Sequence, residues 1–253
     1  MLSKRIIACL DVRDGCVVKG VNFGGLTEAG DPAMLARRYN AEGIDELVIL
    51  DVTATIEGRR ALERTIRQVA SELFIPLAVG GGIRSEADAA AAMDAGADKV
   101  SLNTAALNDP SLLTRLAARY GSQAVVVAID AKHEDGRFAV YARSGGTPAG
   151  RDAVEWAAEA EDRGGGELLL TSIDRDGTRR GFDTAMTAAV SSRVNIPVIA
   201  SGGAGTFDHF LEIFTDGRAD AALAASVFHY AEHAVADLKR FLADHGVAVR
   251  LTC

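Results

Sequence analysis

The stretch Ile6-Ile7-Ala8-Cys9-Leu10-Asp11 is a short apolar run that ends in a carboxylate, and the fold is predicted from its repetition along the chain. Residues 127–130, Val-Ala-Ile-Asp, repeat the pattern of its last four positions, 119 residues later. The glycine-rich stretches 80–83 and 201–204 repeat each other at an offset of 121 residues. An offset near half of the 253 residues predicts two similar halves, with the first and fifth strands opposite each other in a closed ring.

Eight apolar runs predict buried strands, and most of them lack the strict alternation of a strand with one solvated face. They cover residues 6–11, 46–52, 76–82, 99–104, 124–130, 167–174, 197–203 and 219–226. Helix start and stop signals separate them at 31–43, 85–96, 109–121 and 206–217. An open doubly wound sheet is the alternative, but no GxGxxG motif follows the first strand. We therefore expect one (β/α)8 barrel domain over residues 1–253.

Composition narrows the class of protein. An apolar fraction of 48% with 25% charged residues is ordinary for a soluble globular chain. A net charge of -8 repels polyanions, so we expect no nucleic-acid partner. Cys9, Cys16 and Cys253 lack metal-ligand spacing. An odd and sparse number of cysteines fits a reducing compartment better than a disulfide framework. We expect no metal and no cofactor. The first apolar run is too short to span a bilayer, so we also expect no membrane contact and a cytoplasmic location.

Asp11 and Asp130 are candidates for proton transfer. Each closes an apolar strand at its carboxyl end, where the active sites of such barrels lie. Two carboxylates in different environments can titrate apart, so that one acts as an acid while the other acts as a base. The alternative is that each Asp caps the following loop through a local hydrogen bond.

Two glycine turns predict two phosphate sites. Gly80-Gly81-Gly82 and Gly202-Gly203 each allow close backbone approach, and each precedes a helix. Neighbouring strand ends add Asn103-Thr104 and Ser226, while residues 176–178, Asp-Gly-Thr, lie beside the second turn. Glycine required only for tight turns is the alternative, but the arrangement occurs twice. The expected substrate is a small molecule with two phosphates.

The glycine-rich segment 13–30 follows the first strand and contains no long apolar run. We interpret it as a mobile lid, from which Lys19 reaches an anionic substrate. A solvated loop charge is the alternative for Lys19.

Four charged residues of alternating sign precede or begin strands at the other end of the barrel. They are Arg5, Glu46, Lys99 and Glu167. Strand alternation gives Arg5 the same orientation as Asp11, and Lys99 the same orientation as Asn103. If these positions point inward, the charges form a plug or gate across the barrel floor. Separate surface charges are the alternative.

The motifs together resemble a known family along almost the whole chain. They are RIIACLDV (5–12), VVKG (17–20), AVGGGIRS (78–85), KVSLNTA (99–105), SQAVVVAIDAK (122–132), LLTSIDRDGT (169–178), ASGGAG (200–205) and ALAASVFH (222–229). This set resembles the cyclase subunit of imidazole glycerol phosphate synthase, an enzyme of histidine biosynthesis. The sister isomerase of that pathway resembles the chain mainly at the glycine turns.

The resemblance implies a glutaminase partner that docks on the amino-terminal face and supplies ammonia through the charged gate. Ammonia then attacks the ketone of a phosphoribulosyl-formimino-aminoimidazole carboxamide ribonucleotide, with Asp11 and Asp130 assisting the proton transfers. It also implies one phosphate site at Gly82, Asn103 and Thr104, another at Gly177, Gly203 and Ser226, and substrate contacts from Lys19, Thr171 and Asp176. Asp98 and Gln123 are then expected at the partner interface.

Two departures from the family pattern concern the channel and one loop. Ala78 stands where the family often has a threonine, and residues 144–150 lack the usual pattern. The enzymatic alternative is the sister isomerase, which needs no ammonia. A non-catalytic phosphate-binding barrel needs neither Asp11 nor Asp130, so their joint presence argues against it.

Overall fold

The computed structural model describes residues 2–21, 24–52, 56–225, 227 and 234–251, with the side chains at 19–29 and 56–61 left out. The strands are β1 Arg5–Arg13, β2 Cys16–Val21, β3 Gly24–Gly30, β4 Glu46–Asp51, β5 Leu77–Gly80, β6 Lys99–Leu102, β7 Val125–Glu134, β8 Arg137–Ala142, β9 Thr147–Asp152, β10 Glu167–Ser172, β11 Val198–Ser201 and β12 Ala221–Ala224. The helices are α1 Pro32–Glu42, α2 Ile56–Ala70, α3 Glu86–Asp94, α4 Thr104–Asn108, α5 Ser111–Tyr120, α6 Ala153–Asp162, α7 Thr184–Ser191, α8 Phe207–Thr215 and α9 Val235–Asp244.

Eight of these strands close into a parallel barrel. They are β1, β4, β5, β6, β7, β10, β11 and β12, each hydrogen-bonded to the next, and β12 pairs with β1. The predicted (β/α)8 barrel is confirmed, and each of the eight apolar runs supplies one of its strands. The ring places β1 opposite β7, as the repeat in the sequence predicts. The pairing registers also correspond: Asp11 lies beside Leu50 of β4, and Asp130 lies beside Thr171 of β10.

Helix ends follow the predicted signals. The Asp31 side chain accepts from the Met34 backbone N–H at 2.9 Å and begins α1, while Gly43, with φ of 82°, ends it. Ser85 accepts from the Asp88 N–H at 3.2 Å and begins α3. Such caps satisfy backbone donors that the first helical turn leaves unpaired. The described helices include none that is long and apolar enough to cross a membrane.

The apolar core has two layers. The larger layer lies between the barrel and its helices, and Trp156, Tyr39 and Phe210 are fully buried there. The smaller layer lies inside the barrel and consists of Ile7, Cys9, Val48, Ala78, Val126, Leu169, Ile199, Ala221 and Leu223. The barrel interior is therefore mainly apolar between its floor and its mouth. Ser101, two residues beyond Lys99 on β6, is a buried polar side chain on the same face of that strand.

Two antiparallel hairpins lie outside the predicted strands. β2 and β3 follow β1, and β8 and β9 follow β7, so each half of the barrel has one hairpin at the same place. The segment 13–30, which we interpret as a mobile lid, therefore contains two strands that the sequence did not predict. Register shifts interrupt β2–β3 and β8–β9, which weakens the alternating pattern that reveals a strand in sequence.

Candidate active site

Asp11 and Asp130 lie near the carboxyl ends of the opposed strands β1 and β7, at the mouth of the barrel. The Cys9 sulfur lies 3.8 Å from Asp11 Oδ1. Part of the Asp130 side chain reaches the surface of the mouth, but its carboxyl group is enclosed closely enough for burial to dominate its ionisation. The two carboxylates therefore occupy equivalent positions with different surroundings.

The surroundings of Asp130 raise the pKa of its carboxyl group into the range where it exchanges protons near neutral pH. Burial raises the pKa of Asp130 to about 7, the charge of Asp176 acts in the same direction, and the hydrogen bond from Asn103 opposes them. A carboxyl group with such a pKa is present in both protonation states near pH 7, which suits acid–base catalysis. This environment comes from three separate strand ends.

Asn103 lies beside Asp130. Its Nδ2 donates to Asp130 Oδ2 at 2.9 Å and approaches the Tyr141 carbonyl oxygen at 3.4 Å. Its Oδ1 is buried and has no hydrogen-bond partner in the described part of the chain. The structure thus adds a contact with the candidate acid to the phosphate role expected for Asn103.

The Thr104 side chain is hydrogen-bonded to the turn that joins β8 to β9. Its Oγ1 accepts from the Arg143 backbone N–H at 2.9 Å. Arg143 and Ser144 both adopt left-handed backbone conformations, with φ of 53° and 54°. Thr104 therefore anchors the loop in which the sequence departs from the family pattern.

The first glycine turn is packed at Gly81 and open at Gly82. Gly81 and Gly82 have φ of 81° and 72°. A Cβ atom on Gly81 would overlap the Asp51 carbonyl oxygen, whereas one on Gly82 would meet, among the described atoms, only Asp51 Oδ2, at 3.9 Å. Gly81 is thus required for packing, and Gly82 presents free space to a ligand.

The second glycine turn is crowded. Gly202 and Gly203 have φ of 90° and 99°, and a Cβ on Gly203 would overlap the Gly181 carbonyl oxygen. The Gly181 N–H donates to the Gly203 carbonyl oxygen at 2.8 Å. Gly177, with φ of 72°, belongs to the loop that covers this turn. The second candidate phosphate site is therefore built from two packed segments.

The remaining predicted substrate residues differ in how far the structure describes them. Thr171 is half-buried between Asp130 and Ser201 in the strand register. Lys19 pairs with Thr27 across the first hairpin, and its side chain lies outside the described atoms. Ser226 lies outside the described residues.

Arg5, Glu46, Lys99 and Glu167 meet at the floor of the barrel, and we call them the floor ring. Arg5 pairs with Glu46 at 2.7 Å and with Glu167, while Lys99 lies 2.9 Å from Glu46 and 2.8 Å from Glu167. The side chains of the two acids are only 1% and 5% exposed. The pKa of Glu46 is raised: burial is the largest cause, the charge of Glu167 acts in the same direction, and Lys99 and Arg5 oppose them. The alternating charges form a closed ring beneath the apolar interior.

Asp98 and Gln123 are exposed at the amino-terminal end of the barrel. Asp98 Oδ2 accepts from the Leu77 N–H at 2.8 Å, and Gln123 Nε2 donates to the Tyr120 carbonyl oxygen at 3.1 Å. Asp45 and Asp220 accept from other strand starts in the same way. Those two aspartates also pair with Lys239 and Lys4, whereas Asp98 has no cation within 4.0 Å in the part of the chain that is described.

A model of the histidine biosynthesis protein family matches residues 5–234. The chain belongs to this family. A relative from Acidobacterium capsulatum, named imidazole glycerol phosphate synthase subunit HisF, is 59% identical over the whole of both chains. Relatives with the same name from Chlorobium luteolum and Chlorobaculum parvum are 55% and 56% identical, each over 99% of this chain and 100% of their own. The resemblance drawn from the motifs is confirmed.

Sequence analysis missed polar residues in this histidine biosynthesis protein that surround the mouth. On the second hairpin, the Tyr141 hydroxyl donates to Glu134 at 2.5 Å, and Lys132 lies 2.8 Å from Glu134 and 4.6 Å from the Tyr141 ring centroid. Asp130, Lys132 and Glu134 alternate along β7, so strand parity was the signal that could have grouped them. His133, Ser172 and Asp183 form another cluster, which carried no local signal.

Proposed function

We propose that this chain is the cyclase subunit of imidazole glycerol phosphate synthase. It uses ammonia from a glutaminase partner to convert the phosphoribulosyl-formimino-aminoimidazole carboxamide ribonucleotide to imidazole glycerol phosphate and aminoimidazole carboxamide ribonucleotide. One observation carries the proposal: two opposed carboxyl groups at the mouth are joined by an apolar interior to a ring of charges at the floor. A barrel that only isomerises its substrate has no use for a gate of charges at its floor.

Ammonia reaches the substrate ketone from below and attacks the carbonyl carbon. Asp130, which exchanges protons near neutral pH, gives a proton to the oxygen that leaves as water, and Asp11 accepts a proton from the attacking nitrogen. The second proton of the leaving water also comes from that nitrogen, so an imine forms. The imine nitrogen then bonds to the formimino carbon, and the bond from that carbon to the amine of the aminoimidazole carboxamide ribonucleotide breaks. The protons released as the new ring becomes aromatic pass to that leaving amine. The two carboxyl groups assist the later proton transfers from opposite sides.

The two phosphates of the substrate bind at opposite halves of the mouth. Gly82, with Asn103 and Thr104, holds one phosphate, and the open space at Gly82 supports this assignment. Gly177, Gly203 and Ser226 hold the other. Lys19, Thr171 and Asp176 contact the substrate between them. Backbone N–H groups and helix starts supply the attraction locally, which is needed because the chain carries a net charge of -8.

The glutaminase docks on the amino-terminal face, at Asp98 and Gln123. Asp98 is exposed and, among the described residues, lacks the cation that Asp45 and Asp220 have, so a cation of the partner can pair with it. Phe74 is 93% exposed and lies with Asp98 in a groove of about 410 Å³. An exposed aromatic beside a charge is typical of a protein interface.

The floor ring acts as the ammonia gate. Arg5 and Lys99 are more exposed than the two glutamates, at 26% and 16%, so they are the members that can swing away. If either cation moves away, Glu46 and Glu167 each keep an ion pair with the other cation. We also propose a cytoplasmic location and no contact with membranes or nucleic acid.

The test is product formation by the purified chain with the formimino substrate and ammonium salt at high pH, without a partner. Imidazole glycerol phosphate is the expected product. A chain that isomerises the preceding pathway intermediate, and forms no imidazole product with ammonia, is the sister isomerase. Substrate binding without either reaction supports the non-catalytic barrel.

A further inference from the structure

The loop between β10 and α7, residues 173–183, is held at both ends by one residue of β7. The His133 backbone N–H donates to Asp174 Oδ2 at 2.8 Å, near the start of the loop. The His133 ring Nε2 lies 2.9 Å from Asp183 Oδ2, at its end. Asp176 and Gly177, both assigned to the substrate, lie between these two contacts.

The contact between His133 and Asp183 differs from an ordinary surface ion pair. The Asp183 side chain is only 6% exposed, and its two oxygens also accept from Ser172 Oγ and the Met186 N–H, both at 3.1 Å. Because an ionised carboxylate only accepts hydrogen bonds, His133 Nε2 carries the hydrogen and donates it to Asp183. The His133 ring also packs edge-on against Phe138, with centroids 4.8 Å apart. Because the carboxylate is buried, loss of one donor costs more than at the surface.

The same loop supports the second glycine turn. The Gly181 N–H donates to the Gly203 carbonyl oxygen at 2.8 Å, and a Cβ on Gly203 would overlap the Gly181 carbonyl. A Cβ on Gly202 would lie 2.8 Å from the Ser172 carbonyl oxygen. With contacts this close, a shift of the loop displaces the turn.

We propose that His133 is a positioning residue that fixes the β10–α7 loop and thereby orients the second phosphate site. The inference rests on the proposed function, since the phosphate belongs to the cyclase substrate. His133 lies three residues beyond Asp130 on the same strand, so it ties the phosphate site to the strand that carries the acid. Its loss weakens substrate binding and leaves the proton-transfer groups in place.

The experiment compares His133→Ala and His133→Gln with His245→Ala. His245 is a matched control, because its ring also packs on a phenylalanine, at 4.2 Å, and its Nδ1 lies 2.8 Å from the Phe241 carbonyl oxygen, in α9. Turnover is measured with ammonium salt, so no partner is involved. We expect His133→Ala to raise KM roughly tenfold with kcat within about twofold of the parent. His133→Gln, which keeps a donor, restores most of the KM, and His245→Ala changes neither constant.

Amide hydrogen exchange in residues 174–181, without substrate, gives a readout that is independent of turnover. Faster exchange confined to this loop in His133→Ala supports the positioning role. Unchanged KM and exchange in His133→Ala overturn it, as does a His133→Gln variant as impaired as His133→Ala. A parent chain that forms no imidazole product contradicts the proposed function, while exchange still decides whether His133 holds the loop.

Discussion

The two halves of the barrel share a backbone plan but differ in the side chains placed on it. Each half has a strand that carries an aspartate at the mouth of the barrel, a hairpin after it, and a glycine turn. Asp130 has Asn103 and Asp176 as neighbours, whereas Asp11 lies beside the thiol of Cys9. Equivalent positions in a repeated scaffold thus acquire different surroundings, and different surroundings are what allow two carboxylates to act as acid and base on one substrate.

The floor ring shows the same contrast. Its acids, Glu46 and Glu167, occupy equivalent registers, beside Ile7 of β1 and Val126 of β7. Both cations come from the first half, and alanines stand at the corresponding positions 124 and 221. The two acids are therefore related by the repeat of the two halves, whereas the cations that neutralise them belong to the first half alone.

The largest expected effect concerns the two aspartates. Asp11→Asn and Asp130→Asn should each lower kcat about 10³-fold, because an amide keeps the shape but exchanges no proton. Asp130→Asn should also remove any limb of the pH–rate profile near pH 7, where this group titrates. The measurement is turnover with ammonium salt across pH, with circular dichroism as the control for folding. Near-normal turnover in either variant contradicts the acid–base pair.

The next effect distinguishes the two glycine turns. Gly203→Ala should lower the free energy of unfolding by about 2–4 kcal/mol, because its Cβ overlaps the Gly181 carbonyl at a left-handed φ. Gly82→Ala has open space, so we expect a loss of only about 1 kcal/mol, from backbone strain, with a clear rise in KM. Urea unfolding of both variants is the measurement. Equal destabilisation would show that the turns do not differ as described.

The smallest effect concerns the cations of the floor. Lys99→Met should lower glutamine-driven turnover about tenfold in the complex while ammonium-driven turnover stays within about twofold. Lys4→Met is the control, since Lys4 pairs with Asp220 outside the floor ring. Equal losses in both assays would remove the gate from the proposal.

The barrel, its two halves and the aspartate pair were predictable because each depends on a local and repeated pattern. Apolar runs reveal buried strands, and a repeat at half the chain length reveals which strands face each other. The hairpins were missed because bulges interrupt their pairing. The four charges of the floor were noticed because they precede or begin strands, and strand parity predicted the same orientation for Arg5 as for Asp11 and for Lys99 as for Asn103.

The apolar runs and their repeat along the sequence are enough to predict the fold, and the polar residues at the strand ends are enough to predict the candidate chemistry. Only the tertiary structure decided which side chains meet: Asn103 with Asp130, 27 residues apart, and His133 with Asp183, 50 residues apart. These contacts join different strands and loops, and hydrogen bonds require heavy atoms to approach within about 3.2 Å. No local pattern specifies such distances, because they depend on how the whole ring closes.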